Sequence, residues 1–215
     1  MSATKRLMEL DPHLELGNEN SSYHAFAQPD GAFPFPTGIE CEVGEFLYGL
    51  IRMVKPKRIL ETGTNIGIST RYMALALQDT YLDLKGEMGE IVTFERMVDV
   101  ANWVREKLGS CRFSCHINVM PDDVNDYPED LIGDIDFMWL DSEPQTRLDE
   151  LDRFLPHLTP GGIACIHDLN RLDFSGETQW GPVPESIVAA IDAGTLQRFE
   201  WQNVRGLTVF QKRGE

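Results

Sequence analysis

Residues 58–69, Arg-Ile-Leu-Glu-Thr-Gly-Thr-Asn-Ile-Gly-Ile-Ser, constrain this chain more than any other stretch. A short apolar run ends on Glu61, glycines follow at Gly63 and Gly67, and Ser69 opens a helical pattern. The order is that of a strand, a tight glycine turn and a helix start. Glycine adopts positive φ freely and lets the backbone pass close to a ligand. The free N–H groups of a helix start attract a carboxylate or phosphate. The carboxylate of Glu61 accepts hydrogen bonds from a cationic or hydroxyl-bearing group. This corner therefore suits a small molecule with an anionic end and a donor end.

The flanking pattern alternates helix and strand. Val43, Phe46, Leu47, Leu50, Ile51 and Val54 recur with helical spacing, and Pro56 stops the helix. Strands are expected at Arg58–Thr62, Glu90–Glu95, Arg112–Ile117, Asp136–Leu140 and Ile163–Ile166. Helices are expected over Ile68–Leu77, around Val100, Val104 and Leu108, and over Thr146–Leu158. A further helix begins near Pro184 with Ile187, Val188 and Ile191 inward. Residues 79–89 read as a loop, and Pro160-Gly161-Gly162 as a turn. Leu196–Trp201 and Leu207–Gln211 read as a closing antiparallel pair. Trp139 and Trp201 are expected in the core or on a sheet face. The fold class is α/β, a mainly parallel doubly wound sheet with helices on both faces. Residues 1–41 read as an irregular N-terminal arm or lid, and 42–215 as the folded domain. Phe26, Phe33 and Phe35 favour an arm that folds over a ligand, since disordered tails are poor in aromatics.

The dinucleotide fingerprint G-x-G-x-x-G fails at this corner, because its first glycine would fall on Glu61. The P-loop fails for want of Gly-Lys-Ser/Thr. Instead, E-x-G-x-x-x-G-x-S over Glu61–Ser69 resembles the first motif of class I S-adenosylmethionine-dependent methyltransferases. Glu95, closing Ile-Val-Thr-Phe-Glu, resembles their second motif. Asp136-Phe-Met-Trp-Leu-Asp141, Leu155-Pro-His-Leu-Thr-Pro-Gly-Gly162 and Ile166-His-Asp168 have the layout of their small-molecule O-methyltransferase branch. The resemblance spans roughly residues 40–170. It implies a seven-stranded sheet in the order 3-2-1-4-5-7-6 and S-adenosylmethionine as cofactor. It also implies transfer to a small-molecule hydroxyl, on a sugar or secondary metabolite. One segment departs. Relatives of this branch commonly carry Asp-Gly-x-His-x-Tyr after the fourth strand, where this chain reads Asp141-Ser-Glu-Pro-Gln-Thr-Arg147.

Ligands of such sheets bind beyond the carboxyl ends of the strands, which selects the residues to inspect. The candidate cofactor contacts are Glu61, Gly63, Thr64, Asn65, Gly67, Ser69, Glu95, Asp122 and Asp141. Glu95 can take both ribose hydroxyls, and Asp122 or Asp123 the adenine amino group. Asp141, His167 and Asp168 are the candidates for acceptor activation. Catechol-type relatives hold magnesium with two aspartates and an adjacent asparagine. The corresponding ligands here would be Asp141, Asp168 and Asn170, although Leu169 intervenes. The alternative base is His167, whose unperturbed pKa lies near neutrality. The segment from Leu172 to Val183, with Phe174 and Trp180, offers a wall for the acceptor. Two rival readings are a catalytically inactive protein that keeps this fold and a nucleotide-dependent oxidoreductase.

The formal charge of −16 opposes a nucleic-acid partner. No segment has the length of a membrane span. Cys41, Cys111, Cys115 and Cys165 lack paired spacing, which points to a reducing cytoplasm. A homodimer through the N-terminal arm is compatible with the pattern.

Overall fold

The computed structural model describes residues 1–10, 15–16, 26–27, 39–84, 86, 88–111, 113–169, 177–178, 181–201 and 206–214. The main elements are α1 (Ala3–Leu10), α2 (Cys41–Val54), β1 (Arg58–Thr62), α3 (Ile68–Leu84), β2 (Glu90–Phe94), α4 (Val98–Ser110), β3 (His116–Met120), β4 (Ile135–Leu140), α5 (Arg147–Phe154), β5 (Leu158–His167), α6 (Glu185–Asp192), β6 (Leu196–Trp201) and β7 (Leu207–Lys212). The sheet has seven strands in the order 3-2-1-4-5-7-6, with β7 antiparallel to β5 and to β6. This is the doubly wound α/β architecture that the alternating pattern predicts. By internal contacts the chain forms two compact units. One holds 1–57 and 64–122, the other 58–63 and 123–215.

In the first unit, β2 and β3 pair in parallel from Glu90↔His116 to Phe94↔Met120. Val104 and Leu108 of α4 pack on Val119 of β3. This pairing starts the third strand four residues later and ends it three residues later than expected. The mixed polarity of its sequence is that of an edge strand, with Val119 turned to the core and His116 and Asn118 exposed.

Helix α1 corrects the reading of the first residues as irregular. Ser2 Oγ accepts from Lys5 N–H, while the carboxylate of Glu45 on α2 takes the N–H groups of Ala3 and Thr4 at 3.0 and 2.7 Å. The helix start is thus satisfied by a side chain far along the sequence, which no local pattern reveals. Leu7 and Ala3 are buried beneath it. Farther along the arm Glu15–Leu16 pairs antiparallel with Phe26–Ala27, while Phe33 and Phe35 lie outside the described residues.

Helix α3 likewise runs to Leu84, through residues expected as loop. Its polar residues have distant partners. Asp79 receives the Arg6 guanidinium and the Tyr48 hydroxyl, and Arg52 pairs with Asp83.

Burial pushes the Glu45 and Asp79 carboxyls upward. The Thr4 and Ala3 donors on Glu45, and Arg6 and Tyr48 on Asp79, outweigh it and leave both below the ordinary range. A lowered native pKa contributes stability above the unfolded value, near 4, and loses it as pH falls through the native value. The melting temperature is therefore expected to drop on acidification below about pH 4 to 5. Glu45→Gln should flatten that part of the calorimetric pH profile.

In the second unit, β1 and β4 pair in parallel from Ile59↔Phe137 to Thr62↔Leu140, and β4 pairs with β5. Ile59, Leu60, Phe137, Met138, Trp139 and Leu140 are buried, as expected of strands covered on both faces. Strand β5 starts at Leu158 rather than Ile163. Pro160-Gly161-Gly162 bends within it, where the register shifts between Ile135↔Leu158 and Phe137↔Ile163. On α6 only Ile187 is buried, while Val188 and Ile191 are half-buried. Trp201 lies on a face of the edge strand β6, one of the two expected placements, 45 % exposed with its ring 6.4 Å from that of Phe199. Among the described residues, no helix is long and apolar enough to cross a membrane. Among the described residues no disulfide joins the cysteines. Burial pushes the Cys41 thiol up to about 11 and the Cys115 thiol up to about 12, and raises Cys165 as well.

Candidate active site

The glycine corner in the first unit is tied to the end of β2. Thr64 N–H donates to Phe94 O at 3.1 Å, and the Thr64 and Thr93 hydroxyls meet at 2.6 Å. Asn65 sits at φ 47 and Gly67 at φ 73. A Cβ on Gly67 would stand 2.8 Å from Val104 Cγ2, so the turn packs directly on α4. Glu95 follows β2 with both carboxylate oxygens seated. Oε2 accepts from Asn65 N–H and Oε1 from Met97 N–H, each at 2.9 Å. A carboxylate offers about four lone-pair sites, so each oxygen keeps capacity for one more donor. Ser69 is buried at the start of α3. Arg71 is a residue that sequence reasoning missed. Its buried guanidinium donates to Ile66 O and Gly67 O and holds the turn closed from behind. Asp122 is exposed after β3, and its neighbour Asp123 accepts from the backbone and side chain of Asn125.

In the second unit, Glu61 is fully buried on β1. Gly63, at φ 78, lies so close to the chain beyond β4 that a Cβ would fall 2.3 Å from Asp141 O. Asp141 N–H donates to Thr62 O at 3.1 Å. The next residues are anchored through Glu150 of α5, whose buried carboxylate receives the hydroxyls of Thr62, Ser142 and Thr146. Burial raises the Glu150 carboxyl despite those donors.

The three residues expected to activate the acceptor do come together. His167 Nδ1 lies 3.1 Å from Asp141 Oδ1 and 3.8 Å from Asp168 Oδ1. The imidazole is fully buried, with its ring 5.6 Å from that of Trp139, while the two carboxylates are partly exposed. Asp168 adopts φ 60, a left-handed conformation that aspartate tolerates better than most residues. Asn170 and the Phe174 and Trp180 wall lie outside the described residues.

One further residue enters this cluster. Arg147, the first residue of α5, is buried between the two aspartates. Its Nη2 lies 3.0 Å from Asp141 Oδ1, and its Nη1 donates to Asp168 Oδ2 at 3.2 Å and to His167 O. Its Nε and Nη2 donate to Ser142 O at 2.9 and 2.6 Å. A cation at a helix start opposes the helix dipole, so its place there signals specific acidic partners. Losing Arg147, the buried member of this ionic group, costs about 3–5 kcal/mol.

Ligand atoms of Asp141, His167 and Asp168 lie within 4.8 Å of one another, a spacing a metal could use. The guanidinium alters that chemistry. Asp141 Oδ1 and Asp168 Oδ2, which an ion would need, already face Nη2 and Nη1 at 3.0 and 3.2 Å, so an ion would have to displace the guanidinium and its charge. A magnesium ion therefore does not fit the cluster as it is built.

A mainly parallel sheet in this order, with a glycine corner after its first strand and a seated acid after its second, defines an α/β domain of the methyltransferase class. A methyltransferase-domain family model matches residues 60–169, and the chain belongs to that family. No curated sequence matches the chain. Solved structures share the fold at low identity. An O-methyltransferase from Bacillus cereus in complex with SAH is 19 % identical, with 80 % of this chain and 81 % of that one covered at a TM-score of 0.64. An SAH-bound methyltransferase from Podospora anserina is 18 % identical, with 86 % and 84 % covered at 0.62. An O-methyltransferase of tomaymycin synthesis from Streptomyces achromogenes, in complex with SAM, is 20 % identical, with 82 % of each chain covered at 0.59.

Proposed function

We propose that this methyltransferase uses S-adenosylmethionine to methylate a hydroxyl of a small molecule, with a sugar or secondary metabolite as the acceptor class. The observation that carries the reading is Glu95, whose carboxylate is fixed by two backbone N–H groups and keeps capacity for two hydroxyl donors. Two neighbouring ribose hydroxyls are donors of the kind such a carboxylate accepts. Glu61, Gly63, Thr64, Asn65, Gly67 and Ser69 would hold the aminocarboxypropyl end, and Asp122 the adenine. When bound, the cofactor supplies a sulfonium methyl group that an oxygen nucleophile can take. The protein's part is to orient the acceptor and accept its proton.

Asp141 and Asp168 are the partly exposed members of the acceptor cluster and are assigned that proton. His167, fully buried behind Asp141, is assigned to positioning. Magnesium takes no step in this scheme.

Glu95→Ala is expected to weaken SAH binding about tenfold or more, on the order of 1.4 kcal/mol, in titration calorimetry. Unchanged affinity removes Glu95 from the site. Incubation with S-adenosylmethionine and a panel of hydroxylated acceptors should release SAH. If no acceptor yields SAH while SAH still binds, the catalytic assignment fails and the cofactor assignment stands.

A further inference from the structure

We propose that Arg147 is the resident cation of the Asp141–His167–Asp168 cluster, and that by holding both carboxylates it excludes a divalent metal from them. The two aspartates sit at the ends of adjacent parallel strands, β4 and β5, where their repulsion would otherwise favour capture of an ion. Arg147 supplies positive charge at the same oxygens. Every nitrogen of its guanidinium is already engaged, on Asp141, Asp168, Ser142 O and His167 O. A side chain with so many fixed acceptors is not a mobile surface arginine that swings aside. The backbone around it is built to match. Asp168 takes its left-handed turn with its N–H on Gly206 O, and Ser142 is held by Glu150.

Arg147 is thus a positioning residue. It holds Asp141 and Asp168 in place without a Lewis acid, and it leaves the acceptor no metal to bind through. The inference rests on these side chains and not on the methyl-transfer reading.

The test is Mn2+ binding by the full chain, followed by electron paramagnetic resonance of the free ion. Wild type is expected to show no Mn2+ binding that Asp141→Asn removes. Arg147→Met, similar in length but uncharged, should bind Mn2+ at least about tenfold more tightly than wild type. Adding Asp141→Asn to it should abolish the gain, and Arg147→Lys should keep the exclusion. A merely structural role for Arg147 would not create an ion site. Wild-type Mn2+ binding that Asp141→Asn removes overturns the proposal. So does a folded Arg147→Met protein that binds no more Mn2+ than wild type, with folding judged by circular dichroism. If Arg147→Met does not fold, the wild-type and Asp141→Asn titrations decide.

Discussion

Gly63→Ala is expected to lower the melting temperature by about 5–15 °C. Two costs combine. A non-glycine residue in the left-handed region costs about 1–2 kcal/mol. The new Cβ would also stand 2.3 Å from Asp141 O and 2.9 Å from Ser142 Cα, which are backbone atoms. Forcing such atoms apart costs about 1–3 kcal/mol more. Gly161→Ala is the control. Gly161 also has positive φ, at 84, but no atom lies within 4 Å of its Cβ position. It should show the conformational cost alone. Scanning calorimetry of both variants separates strain from collision, and equal shifts would refute the close approach at Gly63. Because Asp141 is displaced by the collision, Gly63→Ala should lose catalysis in the molecules that remain folded.

Asp141→Asn is expected to reduce kcat by about 10²–10⁴-fold, the usual contribution of a positioned base. The change keeps shape and removes the charge that His167 and Arg147 share. Arg147 retains Asp168, so the fold should survive. The pH dependence of kcat/KM in Asp141→Asn and Asp168→Asn then separates the two acids. A rate within about twofold of wild type for Asp141→Asn would assign the proton to Asp168 or to another group.

The central sheet was legible because its strands carry their own signals. Ile59–Leu60 and Phe137–Leu140 put apolar side chains on both faces, and two glycines four apart mark the turn that follows the first of them. The elements misread are those whose stability comes from distant partners. The end of α3 looks like a loop until Arg6 and Tyr48 reach Asp79, and α1 looks irregular until Glu45 satisfies its first N–H groups. Strand β3 was displaced because an edge strand has one covered face, and half its residues are polar.

Asp141, His167 and Asp168 lie close together because they stand at or just beyond the ends of neighbouring strands, and that much is legible in the strand pattern. Arg147 was passed over although it closes the one segment that departs from the related pattern. Its signal was electrostatic rather than motif-like, since it is a cation at the amino end of a helix. Arg71 carries the same mark at the start of α3 and was missed for the same reason.

The state of the native thiols bears on how ligand arrival could be watched. Sulfhydryl reagents attack the thiolate, and with Cys41 up to about 11 and Cys115 up to about 12 that species is scarce at neutral pH. Cys111 and Cys165 are shielded by burial. Met97 is 58 % exposed, and its N–H touches Glu95. A cysteine introduced there would outcompete the endogenous ones for a maleimide dye, giving an optical reporter beside the acid without stripping sulfur from the interior.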